Sequence, residues 1–104
     1  MRKLLLTSAL TLSLAGIGFA EEMTGVISDA HCGAKHSTAS ADAAKCVSGC
    51  LKGGADPVLV SGGKVYKLDA GSREKAAAFA GQNVKVDGTV NGDTITVSSI
   101  SAGQ

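Results

Sequence analysis

Every histidine and cysteine of the chain, His31, Cys32, His36, Cys46 and Cys50, falls within one run of twenty residues. Thiolate and imidazole are the side chains that hold borderline and soft cations. The spacing Cys-x3-His, nine residues, Cys-x3-Cys resembles a structural metal site. If residues 46 to 50 are helical, Cys46 and Cys50 stand one turn apart on one face, as an i, i+4 ligand pair requires. Zn²⁺ would accept Cys32, Cys46, Cys50 and one imidazole, from His36 or His31, and Cu(I) would suit the same soft thiolates.

A disulfide competes for the same residues. Cys46 and Cys50 do not bridge each other within a regular helix, because i, i+4 Cβ atoms stand about 5 to 6 Å apart and a disulfide wants about 3.8 Å. Cys32 would therefore pair with Cys46 or Cys50, contributing about 2 to 4 kcal/mol. One thiol would be left over, as a reactive group, an intermolecular bridge or a small buried hydrophobe. Catalysis by a lowered-pKa thiol has less to stand on: Cys32 lies between His31 and Gly33, and no third residue is placed to orient a histidine.

The elements that would carry these residues can be read from pattern. Met23 to Ser28 has the length and β-branched content of a strand, ended by Asp29. From Ala41, the apolar positions Ala43, Cys46, Val47, Cys50 and Leu51 form one helical stripe. Ser40 or Asp42 would cap its start and Gly53-Gly54 would stop it. Val58 to Ser61 and Lys64 to Leu68 flank Gly62-Gly63 and predict a tight hairpin, with Val60 opposite Val65 and Leu59 opposite Tyr66. Both faces of that hairpin are apolar, and the cysteine-bearing helix is available to cover the face turned away from the core. Gly71 to Gly81 predicts a short helix capped by Ser72, burying Ala76, Phe79 and Ala80. Asn91-Gly92 predicts a second hairpin, with Gly88 opposite Ile95, Val86 opposite Val97 and a bulge or bend at Gly88. Asp29, Asp69, Asp87 and Asp93 fall at strand ends or exposed strand positions and are read as solvated turn residues.

The order strand, helical insert, strand, strand, short helix, strand, strand is that of a small five-stranded OB-like Greek-key barrel, mainly β with a minor helical part. Ahead of it, Arg2 and Lys3, the apolar run from Leu4 to Leu14 and the small residues before position 21 predict a signal peptide over 1–20, cleaved after Ala20. The expected organisation is thus a single domain over 21–104 with a Cys/His-containing insert at 29–54, exported to a periplasm or secreted, and free of the membrane after cleavage. The 104-residue chain is 44% hydrophobic with a formal charge of +1, but those 84 residues carry a charge of −1 and only 18 large apolar side chains. A core that thin often depends on a disulfide or a metal.

Thr24 to Asp29 followed by a Cys-Gly pair and a His, then Cys-x3-Cys, then Val58-Leu59-Val60 with Gly62-Gly63-Lys64-Val65-Tyr66, and Val84 to Ile95 with alternating valines, together resemble a family of short secreted bacterial proteins of unknown function with an OB-like barrel. The resemblance covers most of Glu22 to Ile100. It implies the fold and is nearly silent about activity.

Composition excludes more than it assigns. Aromatic residues are 3% of the chain, and beyond the signal only Tyr66 and Phe79 remain to serve as base-stacking platforms, so nucleic-acid binding is not expected. No hydrolase, transferase, phosphate-loop or cofactor motif is present. Two readings remain: an exported non-enzymatic binding or interaction module for an unknown protein or small ligand, and an exported Zn- or Cu-binding protein using the cysteine and histidine cluster.

Overall fold

The computed structural model describes residues 19–103; the expected signal peptide lies almost wholly outside them. Eight elements follow one another: β1 (Phe19–Asp29), a 3-10 turn (Gly33–His36), α1 (Ala41–Lys52), β2 (Pro57–Ser61), β3 (Lys64–Leu68), α2 (Ala70–Ala77), β4 (Asn83–Asn91) and β5 (Thr94–Ala102). The strands close into a barrel in the order β1-β2-β3-β5-β4, with β4 returning to β1. The fold is mainly β, with two α-helices outside the sheet, and it differs in detail from the expected order by the 3-10 turn ahead of α1.

Each neighbouring pair is antiparallel except β3 and β5, which run parallel and meet only at Lys67↔Thr94 and Leu68↔Ile95. The first hairpin has the expected register, Val60↔Val65 and Leu59↔Tyr66, around Gly62 and Gly63. Both turn residues have positive φ, +59° and +80°, which a side chain would resist. The second hairpin turns one residue later than expected. Its loop is Gly92-Asp93, so Asn91 pairs with Thr94, Gly88 with Val97 and Val86 with Ile100. The two registers differ by two positions from the turn to Gly88 and by three beyond the bulge, and they leave the same residues facing inward. Hydrophobic alternation is blind to such a shift, although a slip of one would invert every side chain. The bulge appears where a glycine in mid-strand suggested it, between Asp87 and Gly88. A Cβ on Gly88 would collide with the Thr96 carbonyl oxygen, so the close strand approach there demands glycine.

The barrel core is Ile27, Leu59, Leu68, Val84, Val86, Ile95 and Val97, closed on one side by Ala76 of α2. The short helix begins and ends earlier than its sequence suggested. Asp69, not Ser72, caps α2, accepting from the Ser72 N–H at 3.0 Å, while the buried Ser72 hydroxyl takes the Val97 N–H at 2.7 Å. Asp69 also accepts from Thr96 Oγ1 at 2.7 Å and is a structural cap, not a solvated turn residue.

A second buried layer lies outside the barrel. Val26, Val58 and Val60 are buried on the opposite side of their strands from Ile27 and Leu59, and α1 and the 3-10 turn lie against β1 there. Helix α1 contributes only Ala43 and Val47 to this layer, both at or near zero exposure. Gly81 carries φ +71°, and a Cβ there would strike the backbone of Ala43 and Ala44, so the start of α1 is seated directly on the chain between α2 and β4.

Candidate metal centre

The site begins where β1 ends. Val26 to Asp29 are buried on both faces of the strand, so the Asp29 side chain enters the protein instead of the solvent. Its Oδ1 accepts two backbone hydrogen bonds, from His31 N at 2.9 Å and Cys32 N at 2.8 Å, which turn the chain sharply after the strand. The Ala30 N–H donates to the Asp56 carbonyl at 2.8 Å, and the Ser28 hydroxyl donates to the Gly33 carbonyl at 2.8 Å. These four bonds fix Cys32 and lead into the 3-10 turn that carries His36.

Helix α1 delivers the other two thiols. Ser40 caps it, its Oγ accepting from the Ala43 N–H at 2.9 Å, and Gly53 closes it by donating to the Gly49 and Cys50 carbonyls at 3.1 Å each. With Ala43 and Val47 seated on the barrel, Cys46 and Cys50 rise one turn apart beside them and meet Cys32. The three Sγ atoms lie within 4.8 Å of one another. A second group, the carboxylate of Asp29, Cys32 Sγ and a ring nitrogen of His36, also lies within 4.8 Å and shares Cys32 with the first.

Three expectations change here. All three cysteines are free thiols, so the Cys32 disulfide to Cys46 or Cys50 is not formed in this structure. Cys46 is exposed and Cys32 and Cys50 are half-buried, so the pair on α1 are not the small buried hydrophobes that the apolar stripe suggested. The helix turns that stripe onto the barrel through Ala43 and Val47, and the cysteines lie at its border. His31 is exposed and belongs to neither group of donor atoms; His36 is the histidine brought to the cluster.

Asp29 was the residue sequence reasoning passed over. Its relative exposure is 0%, and its Oδ2 has no nitrogen or oxygen donor, only the nearby Cys50 thiol. The only other buried side-chain nitrogen or oxygen without a partner among the described residues is Nε2 of His36. Unsatisfied buried polar atoms are rare, and each calls for a cause such as an ion. Both are here, in the same group of three donors. The one sequence signal for Asp29 is its place between an apolar strand and the first cysteine, where an aspartate can bond the next N–H groups and point inward.

The electrostatics match a cluster that is incomplete on its own. Desolvation raises the Cys50 thiol to about 11, with the charge of the Asp29 carboxylate, the neighbouring cysteines and hydrogen bonding of the thiol to Asp29 adding to the shift. Cys32 is also raised, by desolvation first and then by Asp29 and Cys46, with Lys35 acting the other way. Burial and the Asp29 carboxylate together favour the protonated form of both thiols. The donor set can hold a metal ion: in tetrahedral coordination with metal–sulfur bonds of about 2.3 Å, thiolates stand about 3.8 Å apart, within the span seen here.

Among the described residues no helix is long and apolar enough to cross a membrane. No curated protein and no solved structure matches the chain. Residues 48–103 match the family model described as protein of unknown function (DUF5818), a span that takes in Cys50 and the barrel from β2 onward but begins after Cys32, His36 and Cys46.

Proposed function

We propose that this chain, which belongs to the DUF5818 family, is an exported, non-enzymatic small-barrel protein that binds one thiophilic metal ion through Cys32, Cys46, Cys50 and His36. The observation that carries the reading is that three free thiols meet and that one of them, Cys32, also meets Asp29 and His36, the two residues with a buried side-chain atom, Oδ2 and Nε2, left without a partner. A disulfide would leave both atoms unexplained; a cation gives them a purpose. Zn²⁺ and Cu(I) both suit three thiolates and an imidazole. The exposure of Cys46 gives the ion a path to solvent, which suits buffering or delivery as well as structure.

The barrel supplies the platform. Its closed order β1-β2-β3-β5-β4, with α2 between β3 and β4, supports the OB-like reading. The paired Arg2 and Lys3, the apolar run after them and the small residues before Glu21 support export to a periplasm or beyond. An exported cysteine cluster without a disulfide gains protection from oxidation when a metal occupies it.

Elemental analysis and thiol titration of the protein purified without chelators test the reading together. The expected result is one Zn or Cu per chain, with all three thiols reacting once the ion is stripped, and loss of the ion in a Cys46→Ser, Cys50→Ser variant. One reactive thiol, two oxidised cysteines and no metal would refute it.

A further inference from the structure

The soft thiolates alone do not choose between a divalent ion and Cu(I), but Asp29 biases the choice. We infer that Asp29 tunes the selectivity of the cluster, biasing it toward a divalent borderline cation of the Zn²⁺ type. The inference deepens the metal-binding reading and rests on it.

Three thiolates bring three negative charges. A divalent ion with a neutral imidazole reduces the centre to −1, whereas Cu(I) leaves it at −2. Beside this centre stands a carboxylate of 0% exposure with one oxygen already engaged by two N–H groups and the other without a nitrogen or oxygen donor. Among the described residues the ion pairs are Arg73 with Asp56 and Lys85 with Glu22, and neither involves Asp29. A buried carboxylate with no cationic partner is unfavourable, and one facing a net −2 centre is more so. No ion pair compensates it, Lys35 acts on the cluster only at longer range, and a bound cation would do so directly, a second unit of charge compensating twice as well. At about 6 Å, with solvent at the exposed Cys46 raising the effective dielectric constant to about 40, a carboxylate favours a cation by about tenfold in affinity per unit of its charge. Asp29 therefore favours a divalent ion over a monovalent one by about tenfold. The oxygen aimed at the cluster also suits the borderline ion chemically, since Zn²⁺ accepts carboxylate as a ligand or a second-layer partner of its histidine, and Cu(I) prefers sulfur.

The experiment measures Zn²⁺ and Cu(I) affinities, each by competition with a calibrated chelator, on wild type and Asp29→Asn. Asparagine keeps the Oδ1 acceptor for the two N–H bonds and removes the charge. The expected result is a loss of about 100-fold for Zn²⁺ and about tenfold for Cu(I), so that the ratio falls about tenfold. Thiolate-to-cobalt absorption of the Co²⁺-loaded variant should keep its wild-type intensity, showing that three sulfurs remain bound. Lys35→Glu guards against a folding defect in the first variant. Lys35 is exposed on the 3-10 turn, and a negative charge there should move the ratio toward Zn²⁺. Equal losses for both ions in Asp29→Asn, or an unmoved ratio in both variants, would overturn the role of Asp29. Failure of the wild type to bind either ion, or a Cys46→Ser, Cys50→Ser variant that binds as tightly as wild type, would instead overturn the metal site itself and the inference with it.

Discussion

Val47 links the barrel to the metal ligands, and truncating it tests whether the cluster exists only when α1 is docked. The side chain is at 0% exposure between Cys46 and Ser48, and Ala43 is its only buried companion on the helix. Val47→Ala deletes two buried methyl groups, worth about 0.8 kcal/mol each by transfer, and the cavity left behind brings the cost to about 2 kcal/mol. Because the lost contacts all belong to the docking of α1, the cost falls on that docking equilibrium. Cys46 and Cys50 reach Cys32 only in the docked state, so the affinity for Zn²⁺ should drop, to a ceiling of about 30-fold when the whole 2 kcal/mol is transmitted. Hydrogen exchange of the metal-free variant should show the α1 amides exchanging faster while those of β1 and β4 keep their protection. Chelator competition should show the affinity loss in parallel. If Val47→Ala lowered global stability by about 2 kcal/mol and left both α1 exchange and Zn²⁺ affinity unchanged, the claim that helix docking assembles the site would be wrong.

Other consequences can be checked alongside. Gly88→Ala places a methyl group against the Thr96 carbonyl and Ile95, so urea denaturation should show a loss of about 1 to 3 kcal/mol, and a change below about 0.5 kcal/mol would refute the close approach. Cation binding must displace protons from Cys32 and Cys50, whose thiols are raised, to about 11 for Cys50, so apparent Zn²⁺ affinity should climb by at least about 100-fold per pH unit between pH 7 and 9; a flat profile would exclude these thiolates as ligands. Asp69 is held below its ordinary value of 3.8 by hydrogen bonds from Thr96 and Ser72, so its ionised form stabilises the fold fully above that value, and the contribution disappears as pH falls through the lower folded-state value. Asp69→Asn should therefore flatten the acid limb of the stability curve below pH 4, and an unchanged limb would contradict the capping role.

The barrel was legible in the sequence where turn chemistry and alternation constrain the same residues. Gly62-Gly63 between two apolar runs left one register for the first hairpin, and that register is the one found. At Asn91-Gly92-Asp93 two adjacent pairs of residues could each make a two-residue turn, and both keep Val84, Val86 and Ile95 inward, so nothing in the pattern separates them. The cluster was legible as a set of residue types, but not as a geometry. Periodicity placed Cys46 and Cys50 on the apolar stripe of α1, yet only the seating of Ala43 against the Gly81 backbone decides which edge of the stripe faces solvent. Asp29 was lost for a related reason. An aspartate after a strand is solvated in most proteins, and only the covering of both faces of β1, by the barrel and by α1, buries this one.

The parallel contact between β3 and β5 has a kinetic meaning. It spans two residue pairs, held by the Lys67 N–H on the Asp93 carbonyl at 2.7 Å and the Asp69 N–H on the Ile95 carbonyl at 3.2 Å. By contrast, the long β1–β4 and β4–β5 ladders each run for eight pairs. This seam joins strands separated by α2 and all of β4 with the fewest residue pairs of any strand pair, so it closes after the two hairpins have formed. In the native protein so short a seam is the line along which the barrel should open most readily. The motion would widen the cavity of about 270 Å³ beside the seam, bordered by Pro57, Lys67, Asp69, Arg73 and Thr94.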